Sequence, residues 1–163
     1  MSSHFQIDST DKKILDFLTN NARIAFLEIA RECGITGAAI HQRIQKLTNA
    51  GVIKGSQFML DPKGLGYYTC AFIGIQVNLT NPTTHETVFN KIKQIPEVVE
   101  CHHISGKYSL FVKIFTKSNE HLKKLVIERI QTIKEVTGTE TIISLEEGFT
   151  RQVPINQGNI MSY

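Results

Sequence analysis

Between Phe26 and Ile53 two helical patterns stand side by side, separated only by Gly34, Ile35 and Thr36, a break too short to hold a strand. The first pattern puts Phe26, Ile29, Ala30 and Cys33 on one face, at i, i+3, i+4 and i+7. Gly34 follows at the place where a helix end asks for a left-handed residue. Ile35 is an apolar plug in the turn, and the Thr36 hydroxyl is available to the free N–H groups of the next helix. That helix buries Ile40, Ile44 and Leu47, and Gly51 stops it. Helix, glycine turn and capped second helix is the sequence form of a helix-turn-helix. The face left over on the second helix carries His41, Gln42, Gln45, Lys46 and Asn49, with Arg43 beside it. Such side chains suit base edges and phosphates. Thr36, Ala38 and Ala39 at the helix start are small enough for the backbone to lie close to DNA. An ordinary helical hairpin with a solvated face is the alternative that this stretch alone leaves open.

The remaining chain falls into two halves with different periods. A helix is predicted over Asp8 to Asn20, with Ile14, Leu15 and Leu18 on one side, Asp11 in its acidic first turn, and Thr10 or Ser9 as its cap. Val52 to Leu60 reads as extended, and Asp61-Pro62-Lys63-Gly64 is a turn cluster that marks the hinge. Beyond it the pattern becomes strand, helix, strand, strand, helix, strand. Tyr67 to Leu79 is a strand with Ala71, Ile73, Ile75, Val77 and Leu79 on one face. Thr83 to Lys93 is helical, Val98 to Ser105 and Tyr108 to Phe115 are strands about a Gly106-Lys107 turn, and Ser118 caps a helix with Leu122, Leu125, Val126, Ile130 and Ile133 on one stripe. Gly138 is read as a break, with Thr139 to Phe149 as the last strand. The expected fold is α+β: a winged helix-turn-helix domain over residues 1–60 and a ferredoxin-like βαββαβ domain over residues 61–163.

With both helices on one face of such a sheet, the other face should be polar where it meets water. Here the even positions of the first strand hold Tyr68, Cys70, Phe72 and Gly74, and the third strand adds Phe111 and Phe115. That face is expected to bury against another subunit; a loop or the tail after Arg151 could cover it instead.

Composition is that of an ordinary globular chain, with 41% hydrophobic and 20% charged residues among 163. No apolar run approaches the roughly 20 residues of a membrane span, and Met-Ser-Ser-His-Phe-Gln-Ile-Asp does not read as a signal peptide. Cys33, Cys70 and Cys101 are few, odd in number and set in apolar patterns, which fits reduced thiols in the cytoplasm. A net charge of +3 permits nucleic-acid binding without arguing for it. Cys101-His102-His103 invites a metal reading, but adjacent strand residues point to opposite faces, so the two histidines do not readily chelate one ion. No nucleophile–base–orienter set and no phosphate loop is visible, so neither a catalytic residue nor a cofactor is expected.

The order and spacing of several short segments resemble the Lrp/AsnC family, the leucine- and asparagine-responsive transcription regulators. Ile7-Asp8-Ser9-Thr10-Asp11-Lys12-Lys13-Ile14-Leu15 is similar to the family's opening, Asn21-Ala22-Arg23-Ile24-Ala25 to its approach to the second helix, and Arg43-Ile44-Gln45-Lys46-Leu47 with Gly51-Val52-Ile53 and Gly55 to its signature. Glu100-Cys101 followed by Ser105-Gly106-Lys107-Tyr108 resembles the start of its effector site. The resemblance implies double-stranded DNA as partner of the N-terminal domain. It implies homodimers, assembling further into octamers, through the C-terminal sheet. It also implies a small effector, usually an amino acid, held around Ser105, Gly106, Tyr108 and Ser109 with Thr139 and Thr141 nearby.

Two positions depart from the family pattern. The recognition helix often begins Ser-Pro, where this chain has Thr36-Gly37. The aromatic after the loop glycine is usually followed by an aspartate, the natural partner of a ligand ammonium; here that residue is Ser109, which brings no charge. Some haem-pathway decarboxylases resemble the same family, and His102 and His103 would be the tools of such an enzyme. A ligand-binding module without DNA binding is the other alternative.

Overall fold

The computed structural model describes residues 6–78 and 84–155. The described residues form two compact units, one made of residues 6–59 with 149–155, the other of the described residues within Leu60–Gly148. The second unit starts next to the Asp61-Pro62-Lys63-Gly64 turn cluster.

The first unit holds three helices, α1 (Ser9–Asn20), α2 (Phe26–Cys33) and α3 (Gly37–Asn49). α1 is capped by Asp8 rather than by Thr10 or Ser9. The Asp11 N–H donates to Asp8 Oδ1 at 2.8 Å and the Asp8 N–H donates back to Asp11 Oδ2 at 3.2 Å. This is a reciprocal box built from two aspartates, whose charge also suits the helix N-terminus. Gly34 ends α2 at φ 65°, and the Ile35 N–H reaches back to the Ala30 carbonyl at 2.9 Å. Thr36 caps α3 by accepting from the Ala39 N–H at 3.1 Å. Gly37, the first residue of α3, lies so near Leu27 that an added Cβ would stand 3.0 Å from its Cδ2. Ile14, Ile29, Ala30 and Ile40 are buried together, with Phe17, Leu18, Ile24, Phe26, Cys33, Ile35 and Ile44 packed around them. Each fully buried isoleucine contributes about 1.5–3 kcal/mol. After α3, residues 53–61 run on without pairing as a strand, leaving Phe58 and Met59 exposed, with the Arg23 guanidinium 4.6 Å above the Phe58 ring.

The second unit opens with a 3-10 turn, Lys63–Leu65, and then forms β1 (Thr69–Val77), α4 (Thr84–Lys93), β2 (Val98–His103), β3 (Leu110–Thr116), α5 (Asn119–Leu125) and β4 (Val136–Ser144). α5 continues through a wider π turn over Val126–Ile130. The strands lie in the order β2-β3-β1-β4 and every pair is antiparallel, the ferredoxin-like arrangement. Ala71, Ile73 and Ile75 from β1 and Leu110, Val112 and Ile114 from β3 are fully buried, packed with Val88 and Ile92 of α4 and with Leu122, Leu125, Val126 and Ile130. Ser118 caps α5, its Oγ accepting from the His121 N–H at 3.1 Å.

The strand expectations shift in detail. Leu79 and Thr83 lie outside the described residues. β4 ends at Ser144 rather than Phe149, and Gly138 lies inside the strand instead of breaking it. Gly138 pairs with Gln76 and Val136 with Val77, so one extra residue, Thr137, bulges between them. Gly138 is paired with Gln76 in the ladder, and an added Cβ would meet only the movable Gln76 Oε1, at 2.6 Å, so this glycine continues the strand and does not terminate it. Among the described residues no helix is long and apolar enough to cross a membrane.

Candidate functional site

On α3 the exposed positions are Ala38, His41, Gln42, Gln45, Lys46, Thr48 and Asn49, while Ile40 and Leu47 are fully buried on the opposite side. Ala38, His41, Gln42, Gln45 and Asn49 follow one another by steps of three, one, three and four, which is one continuous stripe. Lys46 lies at its edge. His41 is steadied by an edge-on contact with Phe26, ring centroids 5.1 Å apart. Thr36 and Ala39 form the capped first turn, with Thr36 exposed and Ala39 half-buried.

Arg43 stands apart from the stripe. Its Nη1 donates to Asp8 Oδ2 and Asp11 Oδ1, both at 2.7 Å. The side chain is only about one-third exposed, and that of Asp11 is nearly buried at 6%. Arg43 is thus drawn back onto the N-terminal box of α1 and fixes α3 to it, instead of projecting with the glutamines as expected. These hydrogen bonds hold the Asp8 carboxyl below its usual range, the Arg43 bond being the largest cause, and raise the guanidinium further above neutrality.

In the second unit the β2–β3 turn contains Ser105, Gly106, Tyr108 and Ser109. Gly106 has φ 139°, a conformation that side chains disfavour. Ser109 is anchored by its backbone: its N–H donates to the Ile75 carbonyl at 2.9 Å, and its own carbonyl accepts from Ile104 N–H at 3.2 Å. The Tyr108 ring lies directly on Gly74, where a Cβ would be 2.7 Å from it. Gly74 is therefore the seat that admits the ring. Glu140 is paired across the sheet with the same glycine.

Thr139 and Thr141 are not on this face. They pair with Ile75 and Ile73, whose side chains point to the helices, and the Thr139 hydroxyl accepts from Gln131 Nε2 at 2.8 Å. Within one chain the six predicted ligand residues are split between the two sides of the sheet. The residues that share the Tyr108 side and that sequence reasoning passed over are Gln76, Lys107 and Glu140. Alternation along β4 suggests Glu140 only once its register against Gly74 is known.

His102 and His103 diverge as period two requires. His102 faces Glu100, with Nε2 and Oε2 3.7 Å apart, while His103 packs against Phe89 and His85, with centroids 5.6 and 5.3 Å away. Among the described residues no three metal-binding side chains gather. On the sheet face away from the helices, Phe72 and Phe111 stack at 5.9 Å, and Lys113 lies beside Glu100 and Glu147 at 3.6 and 3.7 Å.

Comparison with known proteins agrees with both halves of this geometry. Residues 7–54 match the winged helix-turn-helix DNA-binding family, and residues 70–153 match the Lrp/AsnC ligand binding domain. The regulatory protein AsnC of Haemophilus influenzae is 38% identical over 147 residues, spanning 90% of this chain and 97% of that protein. The HTH-type transcriptional regulator FL11 of Pyrococcus horikoshii is 36% identical over 150 residues, spanning 91% and 97%. The solved structure of Escherichia coli AsnC superimposes with a TM-score of 0.84 at 36% identity, covering 91% of this chain and 99% of that one. These relatives are named regulators, and nothing in them supports the haem-pathway enzyme alternative. A capped recognition helix in a winged helix-turn-helix, a ferredoxin-like ligand-binding domain and regulators of matching length on both sides give one conclusion: this chain is a DNA-binding transcriptional regulator, not an enzyme, and belongs to the Lrp/AsnC family.

Proposed function

We propose that the Ala38–His41–Gln42–Gln45 stripe of α3 reads base edges in the major groove, with Lys46 at the phosphates and the Thr36–Ala39 turn approaching the backbone. The observation that carries this is the fixing of Arg43 on Asp8 and Asp11, which orients the helix and leaves the glutamines outward. Glutamine pairs bidentately with adenine, each good pair being worth about 1–3 kcal/mol, whereas a lysine acts as a point charge on phosphate. Gel-shift titrations over a salt series test it. Lys46→Ala should weaken binding to all sequences alike and lower the salt slope by about one, while Gln42→Ala should relax sequence preference and leave the slope alone. Unchanged affinity in a Gln42/Gln45/Lys46 triple alanine variant would overturn the assignment.

The regulator works in the cytoplasm as a homodimer joined through the uncovered sheet face, with further assembly to an octamer. Its effector is a small amino acid-like molecule held at Ser105, Gly106, Tyr108 and Ser109, and Thr139 and Thr141 join such a site only from another copy. Ser109 offers a hydroxyl where a carboxylate would meet the ligand ammonium. Loss of one charge-assisted hydrogen bond costs about 1.5–3 kcal/mol, so ordinary amino acids should bind weakly, and Ser109→Asp should tighten them roughly ten- to a hundredfold by calorimetry. Tight binding by the unaltered chain that Ser109→Asp abolishes would refute this account of position 109.

A further inference from the structure

Beside the turn, the Lys107 ammonium occupies a small, well-defined seat. Its Nζ lies 2.5 Å from Glu140 Oε2 and 4.9 Å from the centre of the Tyr108 ring. A carboxylate next to an aromatic face is what an organic ammonium group seeks, through a charge-assisted hydrogen bond and a cation–π contact. The backbone places two parts of the seat. Tyr108 is bedded on Gly74, Glu140 is set opposite the same glycine by strand pairing, and the Lys107 carbonyl accepts from Gln76 Nε2 at 3.4 Å. Both side chains of the pair are open to water, Lys107 at 65% and Glu140 at 48% exposure, so the lysine is free to leave.

We propose that Lys107 is an internal occupant of an ammonium site made by Glu140 and Tyr108, and that an amine-bearing effector enters by exchanging its own ammonium for that of Lys107. The proposal rests on the reading of this turn as the effector site. Glu140 then supplies from β4 the carboxylate that is absent at Ser109, and Lys107 sets the concentration at which the effector is felt. Exchange is feasible because the departing ammonium returns to water, and an exposed ion pair resists separation by no more than about fivefold. The ligand receives the same two acceptors.

A surface ion pair with no further role predicts that Lys107→Ala and Glu140→Gln do much the same thing. Competition predicts opposite signs. The twenty amino acids, each with its N-acetyl derivative, are titrated at millimolar concentration into the full-length chain and its variants by calorimetry. Expected results are tightening of up to about fivefold in Lys107→Ala, weakening of up to about fivefold in Glu140→Gln, return to the unaltered affinity in Lys107→Arg, and no binding by the acetylated forms. Weakening in Lys107→Ala, equal shifts in both variants, or binding of an N-acetyl amino acid would overturn the exchange while leaving the turn as the site, provided Tyr108→Ala still abolishes binding. Amino-acid binding indifferent to Tyr108→Ala, or none in either the unaltered chain or Lys107→Ala, would overturn both.

Discussion

Arg43→Ala is expected to lower the melting midpoint of the helical unit by roughly 8–16 °C. The substitution removes both 2.7 Å hydrogen bonds and leaves the nearly buried Asp11 carboxylate without its cation. Bonds to charged groups contribute about 1.5–3 kcal/mol, and stranding one partner of a fully buried pair costs more. Arg43 is partly exposed, so about 2 kcal/mol is a reasonable loss, and each kcal/mol moves a unit of this size by about 4–8 °C. A pH series adds a second readout. The Asp8 carboxyl is held below its usual range chiefly by the hydrogen bond from Arg43, so its stabilisation is present above about pH 4 and fades as the pH falls through the lowered value. Arg43→Ala should therefore flatten the acid side of the stability profile. An unchanged midpoint by calorimetric scanning would show that the clamp is ornamental.

The second large effect is on assembly. Phe72 and Phe111 stack on the sheet face turned away from α4 and α5, with Ile142, the cross-strand partner of Phe72, exposed beside them and Tyr68 exposed just before β1. Phe72→Glu leaves the helix-side core of Ala71, Ile73 and Ile75 untouched, so the unit should still fold. In a two-fold dimer the new carboxylate enters the interface twice. Lys113 stands opposite position 72 but already lies beside Glu100 and Glu147, so the added carboxylate makes a third negative group on one cation. Burying that excess charge costs several kcal/mol, which implies a loss of at least a hundredfold in dimer affinity. Light scattering should show a dimer or larger species for the unaltered chain and a folded monomer for the variant. A stable monomer of the unaltered chain at micromolar concentration would end the proposal.

Much of this molecule was legible because local rules and global fold agree. Gly34, Thr36 and Gly51 each punctuate the helix-turn-helix where their backbone chemistry says they should, and period two along β1 and β3 separated the buried from the exposed face correctly. What stayed hidden depends on pairings between distant residues. Arg43 looks like a DNA-facing cation until Asp8 and Asp11, more than thirty positions earlier, are seen to hold it. Gly138 looks like a break because a glycine in a strand has two meanings, and only its pairing with Gln76 across the ladder decides between them. Thr139 and Thr141 stand beside Tyr108 by family position alone, which does not tell which face of the sheet their side chains take. The register of β4 on β1 carries that information.

The start of α3 has an evolutionary consequence. Gly37 lacks a side chain where Leu27 of α2 comes nearest, so the two positions act as one unit of variation. A residue with a side chain at 37 asks the exposed Leu27 tip to give by a few tenths of an ångström, and a chain that trims Leu27 trades glycine for a better helix former without that shift. Covariation of these two sites across regulators would record how often the entry to a recognition helix has been resized, independently of the bases that the helix reads.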